Sequence, residues 1–213
     1  MPRKNIVDLG GKPLIAWTIL AAQESAYIDR LIVSTDDPEI ADAAQRWNCE
    51  VPFMRPDDLA GDDTSSVDVV IHALQTLDTD HGYVVLLQPT SPFRTGADID
   101  GCLERCEQSN APVCVSICNV DKSPYWMVSM DEQNNLRKIL EPPVPVTRRQ
   151  DLPEVYALNG AVYAAEINWF QANKAFVTEE TLGYVMPRER SLDIDTKYDL
   201  LLAKNRIPGP ATS

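Results

Sequence analysis

The chain has 213 residues, 44% of them hydrophobic and 24% charged, and a formal net charge of −13. This length and composition predict one substantial globular domain and exclude a disordered or fibrous class. The negative charge opposes binding to nucleic acid or to an anionic membrane, so an anionic ligand must be held by a local cluster of Arg and Lys. No apolar run approaches the roughly 20 residues that span a bilayer, and the N-terminus lacks the order of a secretory signal, so the expected location is the cytoplasm. Five cysteines, an odd number in a chain of this size, read as reduced thiols.

The first residues, "MPRKN", read as a loop. "PLIAWTILAAQES" then places apolar residues at helical spacing, with Pro13 suited to a first turn. "RLIVST" is a short β-branched run that predicts a buried strand, and "DDPEIADAAQRW" a helix capped by Asp. In "RPDDLAGDDTSSVD", residues 55–68, carboxylates and hydroxyls precede a helix starting near Val67, so Ser65 or Ser66 caps it or donates to a ligand. "YVVLLQ", "GADIDGCLERCEQ" and "APVCVSIC" continue as strand, helix and strand. This alternation predicts an α/β fold with a mostly parallel sheet and helices on both faces. Between about 119 and 157 the rhythm breaks into a hairpin with a polar turn and a Pro-rich stretch, which reads as an insertion. "NGAVYAA" and "LGYVMP" resume the strands, and "TKYDLLLAKNRI" closes with a helix after an Asp/Thr cap.

Several stretches can carry chemistry. "LLQPTSPFRT" ends a strand and displays Gln88, Thr90, Ser91 and Arg94 where ligands sit in open α/β sheets. In "SLDIDT", Asp193 and Asp195 are two apart, so in an extended segment both carboxylates leave one face and can hold Mg²⁺, whose other positions go to water and phosphate oxygens. The alternative is that Asp195 caps the last helix and Asp193 is solvated. Arg55 can attract phosphate or lie solvated. In "RRQDLPEVYALNG", Arg148 and Arg149 either clamp a carboxylate or face solvent, and Asn159 with Gly160 marks a close backbone approach. Cys102, Cys106, Cys114 and Cys118 form two C-x₃-C pairs, one on a helix and one in a strand, which favours buried thiols over zinc.

Together "PRKNI", "GKPLIAWTI", "RLIVSTDDPEIA", "VPFMRPDDLAGDDTSS", "LLQPTSPFRT", "RRQDLPEVYALNGAVY" and "RSLDIDT" resemble the acylneuraminate cytidylyltransferases, in family order and along nearly the whole chain. The resemblance implies a nucleotide-diphospho-sugar-transferase-like, Rossmann-like domain over 1–213, with 119–157 a dimerisation extension whose tip reaches the partner's active site in a homodimer. It implies transfer of CMP from CTP to the anomeric hydroxyl of a sialic-type nine-carbon keto acid sugar, with release of pyrophosphate. By the same resemblance, Asp193 and Asp195 are Mg²⁺ ligands, and Lys4 and Asn5 lie at the nucleotide-binding end of the N-terminal motif. Arg55 and Ser66 fall on the cytidine and ribose side. Gln88 contacts the sugar, Arg149 or Arg148 its carboxylate, Asn159 belongs to the substrate-binding set, and Tyr163 and Phe176 line the sugar pocket. Family members also carry an apolar strand and a Gly/Ser-rich loop with an Arg and a Lys ahead of the equivalent of "PRKN". Those stretches are not in this sequence, which leads to the expectation of weak transfer, poor folding and unpaired strand edges around a central position. A Kdo-type cytidylyltransferase and a catalytically impaired binding or scaffold homologue are the competing readings.

Overall fold

The computed structural model of the chain describes residues 1, 3–61, 63–77, 82–141, 148 and 151–207. After a 3-10 turn at Lys4–Ile6, β1 (Asp8–Leu9) and β2 (Lys12–Pro13) pair through Gly10 and Gly11, whose φ values are 64° and 82°. Two consecutive positive φ values are what a tight two-residue hairpin with the natural strand twist requires, and glycine supplies both without a Cβ clash. Pro13 then serves as the N-cap of α1 (Leu14–Gln23) rather than lying within its first turn. Seven residues of α1, from Leu14 to Ala22, are buried, so it is covered on most sides rather than along one stripe.

"RLIVST" does not develop into a ladder: Ile32 bridges Glu50 and Thr35 bridges Met54, both in parallel, as isolated pairs. α2 (Pro38–Arg46) opens on Asp37, whose Oδ1 accepts from the Glu39 N–H at 2.8 Å, and α3 (Ser66–Thr76) on Ser65, whose Oγ accepts from Val67 at 3.1 Å. β3 (Tyr83–Leu86) leads to α4 (Gly96–Ser109), β4 (Val113–Asn119) and the hairpin of β5 (Val128–Met130) and β6 (Leu136–Lys138). β7 (Tyr156–Glu166), α5 (Ile167–Asn173), β8 (Leu182–Val185) and α6 (Lys197–Arg206) complete the chain.

The main sheet runs β3-β7-β4-β8. β4 and β8 are parallel, but β7 is antiparallel to both its neighbours, so the α/β fold has a mixed sheet rather than a mostly parallel one. The reversal follows from the hairpin excursion, which turns the chain before β7 enters the sheet. Helices do cover both faces: α1 and α4 pack with Cys114 and Val162 on one side, and α3 and α5 pack with Val113, Val115 and Tyr163 on the other. The short α5 and the β1–β2 ribbon have too few residues to show a period in the sequence.

All five cysteines are free, and Cys49, Cys102, Cys106 and Cys114 are buried while Cys118 is partly exposed. Burial pushes the Cys49 thiol up to about 11; bonding to Cys102, with burial, takes Cys114 to about 12. No helix of the described residues is long and apolar enough to cross a membrane.

One irregularity in β7 shapes the site. Val115 pairs Tyr163 and Ile117 pairs Leu158, so Ser116 alone faces the four residues Asn159–Val162. Such a bulge leaves ladder groups without strand partners. The Ser116 hydroxyl takes their place, accepting from the Val162 N–H at 2.8 Å and lying 2.6 Å from Asn159 Oδ1. Gly160 sits inside the bulge with φ of 72°.

Candidate active site

The segment Leu192–Asp195 is extended ahead of α6, and its period of two decides what it shows. Ile194 is fully buried against Leu9, Leu14 and Ala203, which turns Asp193 and Asp195 to the other side. The Ile194 N–H donates to the Thr90 carbonyl at 2.9 Å, fastening the segment to the loop after β3. Asp195 does not cap α6. Thr196 does, its Oγ1 accepting from the Asp199 N–H at 3.2 Å while the Asp199 carboxylate accepts from Thr196 N at 2.8 Å. The Asp195 side chain is therefore free for Lys4, whose Nζ donates to Oδ1 at 2.7 Å. Asp193 is half-buried, not solvated, and its Oδ1 is buried with no hydrogen-bond partner. Burial pushes its carboxyl up and the Asp195 charge adds to that, against the Thr90 hydroxyl and Lys4.

Lys4 and Asn5 share a cleft of about 1010 Å³ with Arg55, Ser66 and Gln88, residues from three separate stretches of sequence. The Arg55 N–H donates to the Thr35 carbonyl at 2.9 Å and its Nη2 to Asp36 Oδ1 at 2.7 Å, while its Nε is buried without a partner. Hydrogen bonding from Arg55 holds the Asp36 carboxyl below the usual range. Ser66 lies exposed in the first turn of α3, next to the capping Ser65.

Gln88 is placed from below. Its carbonyl accepts from Arg94 Nη2 at 3.1 Å, and its amide lies over the bare Cα of Gly160, where an added Cβ would meet Oε1 at 2.5 Å. Gly160→Ala is accordingly expected to displace Gln88 and to strain a left-handed residue, lowering stability by about 1–3 kcal/mol. Thermal unfolding of the variant and the parent checks this.

Other expectations need correction. Thr90, Ser91 and Arg94 are buried rather than displayed. Arg94 donates to the Ala161 carbonyl at 2.5 Å and to the Thr18 hydroxyl, so it braces the loop against β7 and α1. Asn159 is buried and spent internally: its Nδ2 donates to Ser191 Oγ at 2.9 Å and Oδ1 faces Ser116, which leaves no group for a substrate. Phe176 is a core side chain, 6% exposed, with ring centroids 4.5 Å from Phe170 and 5.5 Å from Tyr163. It can support a pocket only by bracing Tyr163, which is half-buried and whose hydroxyl is pushed up by burial and then by the nearby Asp193. Arg148 is exposed and does not line the cleft, and Arg149 lies outside the described residues.

The sequence reading missed one support. Asp98 is fully buried and accepts from Arg190 Nε at 2.9 Å and Nη2 at 2.8 Å, tying α4 to the turn that leads into Asp193. The Thr-x-x-Asp spacing of Thr95 and Asp98, a capping box, was the available signal.

Residues 1–181 match the family model for cytidylyltransferases. The chain belongs to the cytidylyltransferase family. This cytidylyltransferase is 37% identical to the CMP-N,N'-diacetyllegionaminic acid synthase of Legionella pneumophila, over 96% of this chain and 89% of that protein. It is 30% identical to a pseudaminic acid cytidylyltransferase of Campylobacter jejuni, over 96% and 89% of the two chains. An N-acylneuraminate cytidylyltransferase of Escherichia coli is 33% identical over 94% of this chain, which spans about half of that longer protein, 47%. The fold is that of a solved CMP:2-keto-3-deoxy-manno-octonic acid synthetase complexed with CTP, with a TM-score of 0.66, 18% identity and coverage of 96% of this chain and 93% of that one.

Proposed function

We propose that this cytidylyltransferase moves CMP from CTP to the anomeric hydroxyl of a sialic-type nine-carbon keto acid sugar and releases pyrophosphate. The observation that carries the reading is the meeting of Lys4 with Asp195 beside the orphaned Asp193 oxygen, with Lys4 itself lining a cleft that also holds Arg55 and Gln88.

The donor set suits Mg²⁺. Asp193 keeps an unpaired buried oxygen at a cost in desolvation, Asp195 is 65% exposed, and no group of three or more potential ligands exists among the described residues. An open carboxylate pair completed by water and phosphate oxygens is how Mg²⁺ is commonly held. Bound there, Mg²⁺ would neutralise charge on the triphosphate. The chain's own residues do the rest by position. Lys4, held over the site by Asp195, offers a point charge to phosphate; the spare Arg55 Nε and the Ser66 hydroxyl are donors on the nucleoside side; Gln88 presents its amide to the sugar. Phosphoryl-centred displacement asks mainly for such placement and charge neutralisation.

A homodimer fits the insertion within the single 1–213 domain. Trp126, Met130, Leu136, Ile139 and Leu158, at and around the β5–β6 hairpin, are each more than half exposed, an apolar surface of the kind that marks an interface. In that dimer Arg149 or Arg148 serves the sugar carboxylate of the partner's site. Reduced, unpaired thiols suit the cytoplasm.

The test is pyrophosphate release with CTP, Mg²⁺ and a panel of N-acetylneuraminate, legionaminate, pseudaminate and Kdo. Release that needs CTP, Mg²⁺ and a nine-carbon acid supports the reading, even at a small rate. Release with Kdo alone would assign the eight-carbon sugar, and CTP binding without release would make the chain a binding homologue. Lys4→Met is expected to weaken CTP binding by about tenfold, as loss of a charge-assisted contact would. Its melting temperature should stay within about 2 °C of the parent, since an exposed ion pair contributes little.

A further inference from the structure

We infer that the bulge at Asn159–Val162 is the frame that sets the metal carboxylates against the sugar reader, with Ser116, Asn159 and Ser191 as positioning residues in one hydrogen-bonded chain. Asp193 and Asp195 hold Mg²⁺ and Gln88 meets the sugar in the reaction proposed above, on which this assignment rests.

The chain runs head to tail. The Val162 N–H donates to Ser116 Oγ at 2.8 Å, and Ser116 Oγ donates to Asn159 Oδ1 at 2.6 Å in preference to the Val162 carbonyl at 3.2 Å. Asn159 Nδ2 donates in turn to Ser191 Oγ at 2.9 Å, and Ser191 Oγ to the Pro187 carbonyl at 2.9 Å. Each hydroxyl therefore accepts once and donates once, an order in which successive bonds polarise and strengthen one another. The amide can point only one way. The Ala161 N–H donates to Oδ1 at 3.2 Å, so the amide nitrogen is turned toward Ser191 and Met186 Sδ.

The outer end of this chain is where the Leu192–Asp195 segment begins. Ser191 closes the 3-10 turn Arg188–Arg190 and stands two residues before Asp193, so its place sets where the carboxylates leave the turn. The other side of the same bulge carries the sugar loop: Ser91 Oγ donates to the Asn159 carbonyl at 3.3 Å, Arg94 to the Ala161 carbonyl, and Gly160 lies beneath Gln88. Folding alone does not call for this arrangement. A regular β4–β7 ladder would satisfy the same backbone groups with apolar side chains between them, whereas Ser116 and Asn159 are buried polar groups that must be desolvated and fully bonded. What the bulge adds is one support for two groups that reach the site from separate loops, the kind of outer contact that keeps ligating carboxylates in place.

Ser191→Ala cuts the chain at its outer end and Ser116→Ala at its inner end. In either variant hydrogen exchange of the amides of 192–194 is expected to quicken by about tenfold, with β3 and α5 unchanged. CTP affinity without metal should stay within about twofold of the parent, while CTP affinity with Mg²⁺ falls by about tenfold, as loss of an outer contact to a ligand does. The double variant should be no worse than the more affected single, because one chain broken twice loses nothing more. Ser191→Thr keeps the hydroxyl and should bring both readouts back to within about threefold of the parent. Losses that multiply in the double variant, or exchange that quickens equally in β3 and α5, overturn the proposal. Should Ser116→Ala not fold, the two Ser191 variants decide: quicker exchange in Ser191→Ala alone supports the chain, and equal exchange in both or in neither overturns it. A parent whose CTP affinity ignores Mg²⁺ would remove the metal reading instead, and exchange, which needs no metal, would still decide the chain.

Discussion

Asp193→Asn is expected to abolish the Mg²⁺ dependence of CTP binding and to lower pyrophosphate release by about 10³-fold, while leaving the protein at least as stable as the parent. The two halves of this result have one cause. Asp193 is half-buried, its Oδ1 has no partner, and burial pushes its carboxyl up, so the folded protein pays to keep the charge there. The isosteric amide removes that cost, and the melting temperature should hold or rise by a few degrees. It also removes half of a carboxylate pair that would share the metal with phosphate, a loss of about 4 kcal/mol in transition-state stabilisation. Titrating CTP with and without Mg²⁺ by calorimetry, alongside thermal unfolding, reads both. A variant that binds CTP more tightly with Mg²⁺, as the parent should, would place the metal elsewhere.

Asp98→Ala is expected to be the most damaging single change to stability outside the apolar core, at about 3 kcal/mol or roughly 6–12 °C in melting temperature. Asp98 is fully buried and carries both hydrogen bonds of a bidentate guanidinium and the return bond of the α4 capping box. Arg190 is 37% exposed and can rehydrate when left alone, which keeps the loss below that of a fully buried pair. Burial alone would raise the Asp98 carboxyl; the Arg190 and Thr95 donors outweigh it and hold it below the usual range. The sign follows. The unfolded carboxyl titrates near about 4, so the contribution is fully present above that pH and fades as pH falls through the lower folded value. The gap in melting temperature between parent and variant should therefore narrow in acid below about pH 4. A gap independent of pH would mean that Asp98 acts by packing alone.

Much of the fold was legible because its helices announce themselves. α2, α3 and α4 start at Asp37, Ser65 and Thr95, short polar side chains ahead of periodic apolar residues, and each accepts the expected backbone N–H. Strand direction was not legible, since an apolar run such as "NGAVYAA" reads the same whether it enters a sheet parallel or antiparallel. "RLIVST" has the composition of a strand, yet a strand ladders only where a neighbour lies alongside it in register, and that is a property of the whole sheet. At the site, the Asp-x-Asp spacing pointed to the carboxylates, and the cap stayed open between Asp195 and Thr196 because Asp and Thr are both good N-caps; the structure gives it to Thr196. The close backbone approach read at Asn159-Gly160 is there, with Gly160 beneath Gln88, but the substrate role that Asn159 took from the resemblance does not fit a buried bulge that consumes its amide. The capping-box spacing marked Asp98 as part of the start of α4, but the ties of Arg94 to Ala161 and of Asp98 to Arg190 were unreadable because those partners lie 67 and 92 residues away.

The thiols give the molecule a built-in clock. Cys102 and Cys106 of α4 and Cys114 of β4 lie in one core cluster, and burial with mutual bonding keeps the Cys114 thiol near 12, far from the reactive thiolate. Cys118, partly exposed in the same strand, remains open to reagent. In a maleimide reaction at neutral pH the first label should enter at Cys118 at once, that at Cys49 when the α1–α2 cluster opens, and those at Cys102, Cys106 and Cys114 only when α4 lifts from the sheet. Mass addition over time would then count excursions of the core, with no engineered probe.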